Sequence, residues 1–92
     1  MPTVKLLIKG TVQGVFFRAT AKKIADGLHI VGNIKNTPDG NVEVIASGEQ
    51  TKLNKFIDWC RQGPEKASVA EVNITPLNDE QYKEFTVIRG KG

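Results

Sequence analysis

The chain has 92 residues and a net charge of +3, with 39% hydrophobic and 25% charged residues. That is enough for one small globular domain spanning residues 1–92, and no apolar run approaches the roughly 20 residues of a membrane-spanning helix. Cys60 is the only cysteine, which excludes an internal disulfide. With no apolar leader after Met1, this points to a reducing, cytoplasmic setting.

The pattern opens with a strand. Val4, Leu6 and Ile8 fall on one face and Lys5, Leu7 and Lys9 on the other, the two-residue period of extended chain. After a glycine-bearing connection, Phe17, Ala21, Ile24, Ala25 and Leu28 recur at helical spacing, which predicts a helix ending near Gly27 with Lys22, Lys23 and Asp26 facing water. Residues 30–36 form a second predicted strand. Thr37-Pro38-Asp39-Gly40 is a turn signal, because proline presets one dihedral and glycine accepts positive φ. Val42, Val44 and Ala46 alternate with Glu43 and Ile45, making a third strand that pairs with the second as a hairpin. A second helix is predicted from about Gly48 to Arg61, capped by Ser47 with Gln50, striped by Leu53, Phe56, Ile57 and Cys60, and stopped by Gly63-Pro64. Strands over 69–75 and 85–89 follow, the last at a sheet edge, and Gly90-Lys91-Gly92 reads as a frayed tail whose carboxylate is able to meet a base.

The order β-α-β-β-α-β-β predicts an α+β fold, a ferredoxin-like two-layer sandwich with an antiparallel sheet and two helices on one face. A doubly wound parallel sheet needs more strand–helix units than this length provides. In such a split unit the first and second strands run parallel with the third between them. Their C-terminal ends then share a rim, and Asn36, on the same strand face as Gly32 and Ile34, faces the connection that follows the first strand.

That connection, Gly10-Thr11-Val12-Gln13-Gly14-Val15-Phe16-Phe17-Arg18, carries two glycines, one arginine and no acid. A glycine-bearing turn from strand to helix leaves backbone N–H groups free to hold phosphate. From Val12 to Arg18 no Ser, Thr, Asp or Asn is present to cap the helix. Arg18 stands near the positive end of the helix dipole, a placement that costs about 0.3–1 kcal/mol until an anion arrives. The charge distribution agrees: residues 1–25 hold Lys5, Lys9, Arg18, Lys22 and Lys23, and all ten acids lie from Asp26 onward. The small net charge argues against nucleic acid, while the local field suits a small anion.

Together with Gly27-Leu28, Gly32-Asn33-Ile34-Lys35-Asn36 and Asp39-Gly40-Asn41-Val42-Glu43, this stretch resembles the acylphosphatase family over nearly the whole chain. The resemblance implies a ferredoxin-like hydrolase that cleaves acyl phosphates to carboxylate and inorganic phosphate without metal or cofactor. Arg18 matches the family's phosphate-binding arginine and Asn36 its water-orienting asparagine. Gln13, Gly14, Val15, Phe16 and Phe17 match its backbone phosphate cradle. Phe16 stands where many animal members carry cysteine, and Ile34 replaces the usual valine. The implied partners are a small-molecule acyl phosphate and inorganic phosphate as product and competitive inhibitor, with no nucleic acid, no membrane and a monomeric state.

His29, past the first helix, is expected at the surface or a joint, and Cys60 as buried filler. Trp59, Tyr82 and Phe85 are expected to pack. Gly10 to Gly14 is not a nucleotide P-loop, since no Gly-Lys-Ser/Thr follows. Two rivals remain: an anion-binding regulatory module without turnover, and an RNA-recognition domain of the same topology. The latter stacks bases on strand aromatics, and the first and third predicted strands contain none.

Overall fold

The computed structural model describes residues 1–78 and 82–89. The expected tail contact of Gly90-Lys91-Gly92 lies outside the described residues. In chain order the elements are β1 (Thr3–Thr11), α1 (Phe17–Gly27), β2 (Val31–Asn36), β3 (Val42–Ser47), α2 (Gln50–Gln62), β4 (Ser68–Leu77) and β5 (Phe85–Ile88). They form a five-stranded sheet in the order β4-β1-β3-β2-β5. α1 packs over β2 and β5, α2 packs over β4, and the helices touch one another.

The ferredoxin-like α+β sandwich is as expected, with one correction. The sheet is mixed, because β5 joins β2 in parallel while the other three pairings are antiparallel. The sequence pattern gives strand direction only through short hairpin loops, and no such loop joins β5 to its neighbour. The parallel edge has a consequence for the rim. β1 and β2 both run antiparallel to β3, and β5 runs with β2, so the C-terminal ends Thr11, Asn36 and Ile88 all face the same way.

The two-residue alternation sorts the strands. Leu6, Ile8, Ile34, Val42, Val44, Ala46 and Phe85 are buried under the helices, joined by Phe17, Ala21 and Ala25 of α1 and Leu53, Phe56 and Cys60 of α2. Removing this apolar surface from water is the main driving force for the fold. Cross-strand pairing puts Asn36 opposite Val42, on the helix-covered face. The outer face carries the Lys35–Glu43 pair, 3.6 Å apart across β2 and β3. Phe17, at the start of α1, meets Trp59 edge-on at 5.3 Å between ring centroids, and Trp59 and Phe85 both contact Phe56. These aromatic contacts tie the first turn of α1 to α2 and, through Phe56, to β5.

Two local expectations change. Ser47 does not cap α2; β3 extends to include it, and its hydroxyl accepts a 2.9 Å bond from Thr3. Glu49 is the N-cap instead, with no side-chain cap bond. Lys22 is not simply solvated: it pairs with Asp26 at 3.1 Å and donates to the Phe85 carbonyl at 2.9 Å, fastening α1 to β5. His29 sits exposed in the α1–β2 joint with φ 57°.

β1 pairs with β4 through a register shift between Lys9 and Gly10. At Gly10 φ is +134°, and a Cβ would lie 2.2 Å from the Ser68 carbonyl oxygen. Only glycine fits there, and the bulge bends the strand just before the connection to α1.

Candidate active site

The β1–α1 connection is held at two points and open between them. Val12 is buried, and Val15 packs against the core. Gly14 adopts φ +74° and Phe16 φ 61°, ψ 25°. A left-handed phenylalanine is unusual and costs roughly 1–2 kcal/mol. It is not recovered through burial, since Phe16 is 78% exposed. Strain of this kind collects at functional sites.

Phe16 is also the N-cap of α1, with no side-chain cap bond and no acid in the first turn. Among the described residues, no backbone N–H from residue 14 to 18 donates to a protein acceptor. Five adjacent main-chain donors therefore sit at the positive end of a helix dipole, an arrangement that draws anions.

Beside them lies a cleft of about 400 Å³, lined by residues including Gly14, Phe16, Phe17, Arg18, Asn36 and Arg89. Gly14, Phe16, Phe17, Arg18 and Asn36 were all singled out from sequence, and the fold brings them together. Gln13 and Val15 are not among the lining residues. Gln13 turns away: its Nε2 donates to the Thr37 and Asn41 carbonyls, both at 2.8 Å.

Arg18 is half-buried, and its Nη1 donates to the Ile88 carbonyl at 3.2 Å. That bond uses one of the five guanidinium donors and fixes the side chain's reach from the α1 start towards the end of β5. Arg18 forms no ion pair among the described residues. Asn36 is half-buried at the end of β2, and its carboxamide has no protein hydrogen-bond partner among the described residues. Both side chains thus keep polar atoms available to the cleft.

Arg89 was not anticipated at the cleft. Phe85, Val87 and Arg89 alternate on one face, and the parallel register pairs Ile34 with Val87 and Lys35 with Ile88. One further step sets Arg89 level with Asn36. The alternation was readable in the sequence; the parallel neighbour that gives it meaning was not. Among the described residues the lining holds two guanidinium groups and no carboxylate, imidazole or thiol.

The protein is a small α+β sandwich whose sheet rim presents free amides, two guanidiniums and a carboxamide, a donor set whose chemistry suits a compact anion. The comparisons place it within one family. The family model described as Acylphosphatase matches residues 4–87. An acylphosphatase of Acaryochloris marina (strain MBIC 11017) is 38% identical over 92 residues, covering 97% of this chain and 99% of that protein. A crystallised acylphosphatase from Bacillus subtilis superposes with a TM-score of 0.93 at 29% identity, covering 97% of this chain and 100% of that one. A structure of an acylphosphatase from Coxiella burnetii superposes with a TM-score of 0.91 at 36% identity, covering 95% and 92% respectively. The chain belongs to the acylphosphatase family.

Proposed function

We propose that residues 1–92 form one domain that hydrolyses the carboxyl–phosphate bond of small-molecule acyl phosphates, by in-line attack of a water on phosphorus. The observation that carries the reading is the meeting, in one cleft, of Arg18, Asn36 and uncapped amides. The phosphoryl oxygens lie against the N–H groups of residues 14–18 and the guanidinium of Arg18. Arginine suits this task because its planar fork spans two oxygens. Asn36, across the cleft, accepts from and aims the attacking water.

Among the described residues the lining holds no carboxylate or imidazole, and the chemistry does not require one. The leaving group is a carboxylate whose conjugate acid has a pKa of about 4, so it departs without a proton. The work left is stabilising charge and positioning a nucleophile, the two parts of enzymatic phosphoryl transfer. The water's proton passes to a phosphoryl oxygen or to solvent.

Arg18 and the amides supply the positive charge in this scheme, so turnover is expected to be independent of added metal. Inorganic phosphate, the product, is expected to compete for the same donors. Among the described residues no helix is long and apolar enough to cross a membrane. Separately, from the family resemblance and the lone cysteine, we read the protein as a cytoplasmic monomer that needs no nucleic acid.

The test is benzoyl phosphate hydrolysis, with and without chelator. Steady turnover in both, inhibited competitively by phosphate, is the expected result. Binding without hydrolysis would assign a regulatory module, and loss of activity with chelator would overturn the metal-independent scheme.

A further inference from the structure

We infer that Gln13 is a positioning residue: its carboxamide splints the β1–α1 connection to the β2–β3 turn and so fixes Asn36 across the cleft. The inference rests on the reading of Asn36 as the group that aims the water.

The Gln13 amide nitrogen carries two hydrogens, and each has an acceptor. One goes to the Thr37 carbonyl and the other to the Asn41 carbonyl, both at 2.8 Å. No side-chain donor is left for a phosphoryl group. The two acceptors bracket the turn that begins one residue after Asn36.

The turn is tightly bonded within itself. Thr37 N–H donates to the Asn41 carbonyl at 2.9 Å, and Gly40 N–H to the Thr37 carbonyl at 3.2 Å. The Asn41 N–H donates to the Thr37 hydroxyl at 3.1 Å, and that hydroxyl donates to the Asp39 carboxylate. These bonds close the turn on itself. Among the described residues, the Gln13 bonds are the side-chain hydrogen bonds that join this turn to the connection preceding α1.

The consequence is geometric. The amides of residues 14–18 belong to one side of the cleft, and Asn36 belongs to the hairpin on the other. Water must be aimed at a phosphorus atom held by the first side, so the separation of the two sides sets the line of attack. A misplacement near 1 Å costs about a hundredfold in rate. The Gln13 side chain touches neither phosphate nor water; it holds the gap between them.

The experiment uses Gln13→Ala and Gln13→Met, alone and combined with Asn36→Ala, in benzoyl phosphate hydrolysis. Gln13→Met keeps the side chain's length and removes both donors. The expected result is a fall in kcat of about 10–100-fold in both variants. KM and inhibition by phosphate stay within about twofold, because neither substitution removes a phosphate-holding donor of residues 14–18 or Arg18. In the Asn36→Ala background the same substitutions lower kcat by less than about threefold, since the group they position is gone.

A near-normal kcat in both Gln13 variants overturns the inference. Equal losses with and without Asn36 also overturn it, because they mark a general structural role. Failure of both variants to fold, read by circular dichroism and thermal unfolding, assigns Gln13 to stability and overturns it as well. If Asn36→Ala alone retains normal turnover, the reading of Asn36 fails first and the inference with it. The single variants therefore separate the two failures.

Discussion

Replacing Arg18 by alanine is the sharpest test of the proposal that the cleft holds phosphate. The guanidinium already donates one bond to the protein, to the Ile88 carbonyl at 3.2 Å. Its remaining donors are able to form two bonds to phosphoryl oxygens in the planar fork geometry. A hydrogen bond to a charged group contributes about 1.5–3 kcal/mol, so two are worth roughly 3–6 kcal/mol. At about 1.4 kcal/mol per decade, kcat/KM should fall by ~10²–10⁴-fold. Arg18 is half-buried rather than enclosed, and solvent screening pulls the figure toward the lower end. The assay is steady-state benzoyl phosphate hydrolysis, with the phosphate inhibition constant measured alongside. Inhibition should weaken in parallel, since phosphate uses the same fork. Arg18→Lys should recover only part of the loss, because an ammonium keeps the charge without the paired donors. The reasoning is refuted if Arg18→Ala stays within tenfold of the parent in kcat/KM, or if lysine restores full activity.

Three further outcomes follow from the same geometry. Arg89→Ala should raise both KM and the phosphate inhibition constant by about 3–10-fold, an effect that shrinks as salt is raised because Arg89 is exposed; a salt-independent loss would contradict an electrostatic role. The Thr37 hydroxyl, which donates to its carboxylate, holds the Asp39 pKa below the ordinary 3.8. Its contribution to the turn is therefore fully present above that value and is lost as pH falls through the depressed folded pKa. Stability curves of the parent and Asp39→Asn should accordingly differ by a constant amount above about pH 5 and converge in stronger acid. Burial pushes the Cys60 thiol far up; thiol reagents should leave the native protein unlabelled near neutral pH and modify it fully in denaturant, and rapid native labelling would place Cys60 elsewhere.

Legibility in the sequence tracked the range of the interactions. Periodicity alone located α1 and the buried faces of β1 and β3, because those patterns are set by local geometry and the demand for one apolar face. The uncapped start of α1 was readable from the missing Ser, Thr, Asp or Asn between Val12 and Arg18. What failed was long-range. Ser47 with Gln50 had the spacing of a capping box, but Thr3 claimed the Ser47 hydroxyl across the sheet. The partners of the Gln13 carboxamide, 24 and 28 positions away, carried no local signal either. Arg89 was one more residue of an edge strand until the parallel pairing with β2 set it beside Asn36.

That parallel edge is the link between fold and site. With β5 absent or antiparallel, β1 and β2 would still end at one rim, and the α1 amides and Asn36 would still face each other. Arg18 would then lack the Ile88 carbonyl that anchors its guanidinium, and Arg89 would be removed from the lining. Lys22 bonds the Phe85 carbonyl from the same helix that carries Arg18, so α1 grips β5 at both ends of that strand. The short strand thus contributes more than sheet area. It gives the long arginine side chain an anchor at the Ile88 carbonyl; under the proposed scheme that anchor would reduce the entropy lost when the fork closes on phosphate.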